Sequence, residues 1–114
     1  MFSNLNLIGR LGREPELIQP EDKQSFVRFP LACRQRDGTT IWVQGIAFGN
    51  NAQIIYQYCN KGDKIFISGG LQLFKAKDKA GIENTYVQCV VDRVVFLGEN
   101  TSNSGDWINR NVKD

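Results

Sequence analysis

The stretch WVQGIAFGNNAQIIYQYCNKGDKIFISGGL, Trp42–Leu71, decides the fold, because three kinds of element follow one another within it. In WVQGIAFG, bulky residues at even positions alternate with small residues at odd positions, which predicts a strand with one aromatic face. Ile54, Ile55 and Tyr58 then have helical spacing, and the run from Ile65 returns to strand-forming residues. A strand, a short helix and a second strand in this order predict a small closed β-barrel.

The ends of the predicted helix are marked by residues that commonly cap helices. Asn50 or Asn51 is the candidate N-cap, because an asparagine side chain accepts a hydrogen bond from a free amide of the first turn. Gly62, directly after Lys61, is the candidate stop, because glycine readily adopts the left-handed conformation that ends a helix. These limits predict a helix of about two or three turns.

The rest of the chain to Gly98 supplies further strands. In the opening strand, three leucines lie on one side, and Asn6, Ile8 and Arg10 lie on the other. The segment SFVRFPLACRQR alternates again, with Pro30 predicting an edge position or a bulge. Asp37-Gly38 predicts a tight hairpin, and Gly81 is the expected positive-φ residue of a second hairpin between Leu71 and Val90. The pattern indicates about five strands, with the helix between the third and the fourth.

Composition restricts the class of protein. The chain has 114 residues, enough for one domain, and its net charge of +2 neither requires nor excludes a nucleic acid. Cys33, Cys59 and Cys89 are widely spaced, and the sequence contains no histidine. We therefore expect buried reduced thiols, no metal, no cofactor and no catalytic site. No apolar run reaches the ~20 residues that span a bilayer, so we expect a cytoplasmic protein without membrane contact.

A series of residues then resembles bacterial single-stranded DNA-binding proteins. The string NLNLIGRLGREPEL, residues 4–17, resembles the opening motif of that family. Trp42, Phe48-Gly49, Lys61-Gly62 and Leu97-Gly98 recur in the family's order and spacing. The resemblance covers residues 1–98 and implies an all-β OB-fold, a five-stranded Greek-key barrel with one short helix between strands 3 and 4. Residues 99–114 are polar and are expected to form a tail outside this domain.

The resemblance also implies which side chains contact DNA. Single-stranded DNA exposes flat bases and charged phosphates, which aromatic side chains and cations recognise. Trp42 and Phe48 match stacking residues of the family, and Phe74 either replaces a third or packs in a subunit contact. Tyr56 and Tyr58 are expected to pack instead; Tyr86 either stacks or packs, and packing is favoured. The expected backbone contacts are all cations, namely Arg10, Arg34, Arg36, Lys61, Lys75, Lys77 and Lys79.

Several positions depart from the family pattern. Two stacking aromatics of the family fall at Ala76 and near Arg36, and family cations fall at neutral residues, namely Gln44, Asn50 and Asn60. More of the stacking is therefore expected from Trp42 and Phe48. The sequence ends NRNVKD and lacks the family's acidic, Phe-terminated tip, so replication or repair proteins are not expected to bind through such a tip. For Trp107, docking on a partner subunit and stacking on DNA remain open.

These features predict a non-enzymatic, sequence-nonspecific binder of single-stranded DNA that acts in replication, recombination or repair. By resemblance it is expected to be a homotetramer, or a dimer, paired through the first strand. The alternative is an accessory OB-fold protein similar to primosomal protein N, which acts mainly through protein contacts in replication restart. An RNA-binding OB-fold also remains open, because stacking does not itself distinguish the sugars.

Overall fold

A computed structural model describes residues 3–99, which form one sheet and one helix. Phe2, the tail from Asn100 onward and its Trp107 lie outside the described residues. The elements follow the predicted order, with one short strand added after the first. They are β1 Leu5–Leu11, β2 Glu16–Ile18, β3 Phe26–Arg34, β4 Thr40–Ala47, α1 Gly49–Tyr58, β5 Lys64–Lys77 and β6 Glu83–Gly98.

The sheet closes on itself as a barrel. Its strands are ordered β1-β5-β6-β4-β3-β2, and the end of β1 also pairs with β3 through Arg10–Ala32 and Leu11–Leu31. All these pairings are antiparallel except that of β4 with β6. The helix lies between β4 and β5 in the chain, as the resemblance implies. The five long strands therefore form the expected barrel, and β2 is an additional short pairing on β3.

Alternate residues of the strands fill the barrel interior. Phe29 and Leu31 of β3, Ile65 and Ile67 of β5, and Cys89 of β6 are all at most 1% exposed. On the interior side of β4, Gly45 lies directly under the Phe29 ring. A Cβ atom at Gly45 would be 2.2 Å from Phe29 Cζ, so this strand needs a glycine where the aromatic ring crosses it.

Two predicted helix limits are wrong. No side chain caps the start of α1, where the N-cap residue is Phe48. The Asn51 amide instead donates to the carbonyl oxygen of Asp92 at 3.1 Å, which ties the helix to β6. The helix ends at Tyr58, because the next residue is extended. Gly62, at φ 90°, belongs to a separate turn that precedes β5.

Turn chemistry is as predicted at both hairpins, and Pro30 lies at a local edge, one of the two positions predicted for it. Gly38 and Gly81 have φ values of 89° and 83°, respectively. Asp37 accepts hydrogen bonds from the Thr39 hydroxyl at 2.6 Å and from the Thr39 backbone N–H at 2.9 Å. The hydroxyl bond, followed by the backbone bond, lowers the pKa of Asp37. Pro30 lies inside β3 without a bulge, between the residues that pair with β2 and those that pair with β1. Its missing N–H is tolerated because no strand partner lies opposite it on that side.

The three cysteines are buried free thiols. Burial, followed by the nearby charge of Asp63, raises the pKa of Cys59 to about 11. Burial, followed by the charge of Asp92, raises the pKa of Cys89 to about 11. These thiols therefore stay protonated near neutral pH. Within residues 3–99, no group of histidine, cysteine or acidic side chains could hold a metal ion, and no helix has the length and apolarity to cross a membrane.

Candidate nucleic-acid interface

An aromatic row crosses the outer surface of three neighbouring strands. Gln44 of β4 pairs with Gln88 of β6 in parallel register, which places Trp42 beside Tyr86, two residues earlier on each strand. Tyr86 in turn pairs with Phe74 of β5, and their ring centroids are 5.3 Å apart with an interplanar angle of 27°. Trp42, Tyr86 and Phe74 line one open cavity of about 410 Å³. We call these three residues the aromatic row.

Trp42 faces solvent and does not belong to the barrel core. Its side chain is 59% exposed, whereas its neighbours Val43, Gly45 and Ala47 face the interior. The indole lies across Gly12, where a Cβ atom would be 2.4 Å from Trp42 Cζ3. Glycine at this position therefore lets the ring lie against the start of the β1–β2 loop. An exposed indole held in this way offers a flat surface to a base.

Cations continue the same surface on the other side of Trp42. Trp42 pairs with Ala32, Ala32 with Arg10 and Arg10 with Lys64, so all four residues lie on the outer face. At about 4.8 Å per strand, Arg10 and Lys64 lie about 10 and 15 Å from Trp42 across the sheet. Arg10, Lys64 and Arg34 line a second open cavity together with Ile8, and its lining contains no carboxylate. We call Arg10, Arg34 and Lys64 the cationic notch.

Within the notch, Arg10 has a structural contact as well. Its Nη1 donates to the Gly62 carbonyl oxygen at 2.9 Å, which joins β1 to the turn before β5. One guanidinium carries five N–H donors, so this bond leaves donors for a phosphate. The notch therefore places three positive charges beside Trp42, on the surface that a nucleic-acid strand lying over Trp42 would cross next.

Phe48 lies in a different part of the surface from Trp42. It follows the last residue of β4 and contacts Phe26, with ring centroids 5.8 Å apart. Six residues of extended chain separate it from Trp42, about 20 Å along the strand. Two cavities connect these regions, the first lined by Arg13, Gln44 and Tyr56 and the second by Tyr56 and Phe26. The expected stacking residues thus lie along a groove and not in one cluster.

The lysines of the second hairpin lie on the face opposite the aromatic row. Lys75 and Lys77 alternate with Phe74 along β5 and pair with Thr85 and Glu83 of β6, so their side chains leave the sheet on its other side. Lys79 lies in the turn, whose Asp78 carboxylate accepts backbone bonds from Ala80 and Ile82. The structure therefore does not bring these lysines together with Phe74.

The remaining predicted cations lie at turns. Arg36 is exposed in the β3–β4 hairpin. Lys61 lies in the turn after α1, where its backbone N–H donates to Glu14 Oε2 at 2.9 Å. Neither residue lines the aromatic cavity.

Sequence reasoning missed four residues that line this surface. Tyr86 and Tyr56 were expected to pack, yet they are 41% and 51% exposed and line the groove. Arg13 lines both the aromatic cavity and the next one. Lys64 completes the notch. Alternation along β5 could have indicated that Lys64 points outward, but its nearness to Arg34 depends on how the barrel closes.

Comparisons with known proteins agree with this architecture. A profile described as the Single-strand binding protein family matches residues 2–97. The single-stranded DNA-binding protein of Neisseria meningitidis serogroup A is 33% identical over 107 residues, covering 87% of this chain and 62% of that protein. This chain thus spans about three fifths of the length of that relative. The single-stranded DNA-binding protein of Onion yellows phytoplasma is 30% identical over 100 residues, covering 85% of this chain and 95% of that protein.

Solved structures show the same fold. The mitochondrial single-stranded DNA-binding protein Rim1 of S. cerevisiae superposes with a TM-score of 0.71 at 20% identity, over 87% of this chain and 98% of that one. At this identity the likeness establishes the fold alone, and it confirms the predicted OB-fold. The profile match extends over nearly the whole barrel, from before β1 to the next-to-last residue of β6. The chain therefore belongs to the single-strand binding protein family.

Proposed function

We propose that this protein binds single-stranded DNA of any sequence and protects it in replication, recombination or repair. The observation that carries this proposal is the continuous outer surface from Lys64 and Arg10 to Trp42, Tyr86 and Phe74. Bases stack on the aromatic row, and phosphates of the same strand contact the cationic notch. The role is one of binding and includes no chemical reaction.

The chemistry of the surface matches an unpaired strand better than a duplex. In a duplex the base faces are stacked on one another and cannot reach an exposed indole, whereas an unpaired strand presents both its base faces and its phosphates. Each base stacked on an aromatic side chain contributes about 1–3 kcal/mol. Phosphate contacts add an attraction that weakens as salt rises. Trp42, 59% exposed, is the central residue for the stacking contribution.

We also propose self-association through the first strand. In the described part of the chain, β5 pairs with one side of β1, and β3 pairs with the other side only at Arg10 and Leu11, so residues 5–9 have no strand partner on that second side. The other edge of that segment offers backbone groups to a second copy. Leu97 is 44% exposed, which supplies apolar area for a further contact between dimers. A homotetramer, or a dimer, therefore fits this surface.

Of the functions that the sequence left open, the comparisons favour one. The matched family and the relatives described above favour single-stranded DNA binding over an accessory role similar to primosomal protein N. A preference for DNA over RNA stays a prediction, which oligo-U competition measures directly. Contacts with replication or repair proteins and a cytoplasmic location stay predictions as well.

The binding proposal is tested by titrating the protein with labelled oligo-dT and with a duplex of equal length at several salt concentrations. We expect tight binding of the single strand, weak binding of the duplex and an affinity that falls as salt rises. Equal affinity for the two forms would overturn the proposal.

Light scattering with and without oligo-dT tests the assembly. A mass of four chains, or two, is the expected result, and a single chain of 12.9 kDa in both conditions would contradict self-association.

A further inference from the structure

Three glutamine side chains form a second row directly beside the aromatic row. Gln44 of β4, Gln88 of β6 and Gln72 of β5 are neighbours across the sheet. Gln44 Nε2 donates to Gln88 Oε1 at 3.1 Å, and Gln88 Nε2 donates to Gln72 Oε1 at 2.9 Å. Each glutamine is two residues from an aromatic on its own strand, about 6–7 Å away. We call these three residues the amide row.

The two ends of the amide row differ chemically, because each glutamine in turn donates to the next, from Gln44 through Gln88 to Gln72. Among the described contacts, Gln44 Oε1 accepts no bond and Gln72 Nε2 donates none. An acceptor is therefore available on β4 and donors on β5. Gln88 is held on both sides, so the three amides support one another in fixed positions. This arrangement is a built polar surface and not three independent exposed side chains.

The row suits base edges better than phosphates. A phosphate has acceptors only and carries a negative charge, so it gains little from a neutral row that ends in an amide oxygen. Base edges carry donors and acceptors side by side, and glutamine pairs with them through both of its amide atoms. In the cavity lined by Trp42, Gln44, Phe74 and Tyr86, the charged lining residue is Arg13. The surface between the stacking rings is therefore largely neutral.

We infer that the amide row hydrogen-bonds to the Watson–Crick edges of bases stacked on the aromatic row, so that the protein still binds every sequence but with an affinity that differs between bases. This inference rests on the proposed function, since the bases must first stack on Trp42, Tyr86 or Phe74. A base lying flat on one of these rings extends its edge along the sheet toward the adjacent glutamines. A thymine stacked on Trp42 donates its N3–H to Gln44 Oε1, and a second base, stacked on Phe74, accepts a bond from Gln72 Nε2 at a carbonyl oxygen.

The inference is tested with oligo-dT and the same oligonucleotide carrying N3-methylthymine, each bound to the wild type and to Gln44→Met. Methylation removes the N3–H donor but keeps the phosphates and the ring, and methionine keeps the length of the side chain. Any effect of the methyl group on stacking occurs in both proteins and cancels in the comparison. Gln19→Met is the matched control, because Gln19 is exposed and lies outside the groove.

We expect methylation to weaken binding about two- to tenfold more in the wild type and in Gln19→Met than in Gln44→Met, the effect of one hydrogen bond. An equal effect in all three proteins, with tight binding retained, would overturn the inference and leave the proposed function standing. A wild type that binds neither oligonucleotide would instead overturn the proposed function. Should Gln44→Met lose all binding, the comparison is made with Gln44→Leu, which also lacks the amide oxygen, and an equal effect there likewise overturns the inference.

Discussion

Replacing Gly12 with alanine displaces Trp42 without touching the barrel core. The added Cβ would lie 2.4 Å from Trp42 Cζ3 and 2.8 Å from Cη2, against an ordinary contact of 3.4–4 Å. Pro30 Cγ lies 3.6 Å from the same point, so the new methyl group cannot move away from the indole toward Pro30. The indole must therefore shift by about 1 Å, and being exposed it shifts toward solvent.

The expected outcome of Gly12→Ala separates binding from folding. Surface changes of this kind usually alter the free energy of unfolding by about 0.5 kcal/mol or less. A displaced indole loses part of the ~1–3 kcal/mol that a stacked base contributes, so affinity for oligo-dT is expected to fall about three- to thirtyfold. Fluorescence anisotropy measures the affinity, and urea denaturation measures the stability.

Two comparisons make this prediction specific. Gly70→Ala is the control, because a Cβ atom there meets nothing within 4 Å, and its affinity is expected to remain unchanged. In a Trp42→Ala background, Gly12→Ala is expected to have no further effect, since no ring remains to be displaced. Wild-type affinity in a folded Gly12→Ala variant, or an undiminished effect in the Trp42→Ala background, would refute the reasoning.

Three further predictions concern the core, the thiols and the notch. Gly45→Ala forces an overpacked core and is expected to lower the free energy of unfolding by about 1–3 kcal/mol; an unchanged urea midpoint would contradict this packing. Folding raises the pKa values of Cys59 and Cys89 from 9.0 to about 11. These thiols therefore leave the free energy of unfolding unchanged below about pH 9, and they lower it as pH rises from 9 through 11, where the unfolded chain loses their protons first. The urea midpoint is therefore expected to fall over that range, and a midpoint independent of pH would oppose it. Lys64→Gln is expected to reduce the slope of log affinity against log salt by about 0.7, the loss of one phosphate contact on a single strand. The exposed Lys23→Gln should leave that slope unchanged, and equal slopes in all three proteins would exclude Lys64 from the DNA path.

Local patterns in the sequence were sufficient to predict the strands and turns of much of the barrel. Alternation in β1 and β4 correctly separated the core face from the solvent face, because a strand turns successive side chains to opposite sides. The turn residues Gly38 and Gly81 were predicted correctly, since positive φ values favour glycine. The helix was found from its spacing, but its ends were not. Asn51 bonds to the backbone of β6, a contact made by tertiary structure that local capping preferences do not include.

The arrangement of the site depends on contacts between distant segments. Arg10 and Arg34 come near Lys64 only because β1 pairs with both β3 and β5. The amide row likewise requires the parallel pairing of β4 with β6, which brings Gln44 to Gln88 across 44 residues of sequence. For Lys75 and Lys77 the alternation itself was informative, because it separates them from Phe74. Their assignment to the same surface followed the family resemblance instead.

The most direct test of base stacking uses the intrinsic fluorescence of Trp42. The chain has two tryptophans, so Trp107→Phe leaves Trp42 as the single reporter. Titration of this variant with oligo-dT is expected to quench the fluorescence to saturation, at the stoichiometry and affinity that anisotropy gives, and added salt is expected to reverse the quenching. Tight binding by anisotropy with no change in Trp42 fluorescence would contradict stacking on this residue.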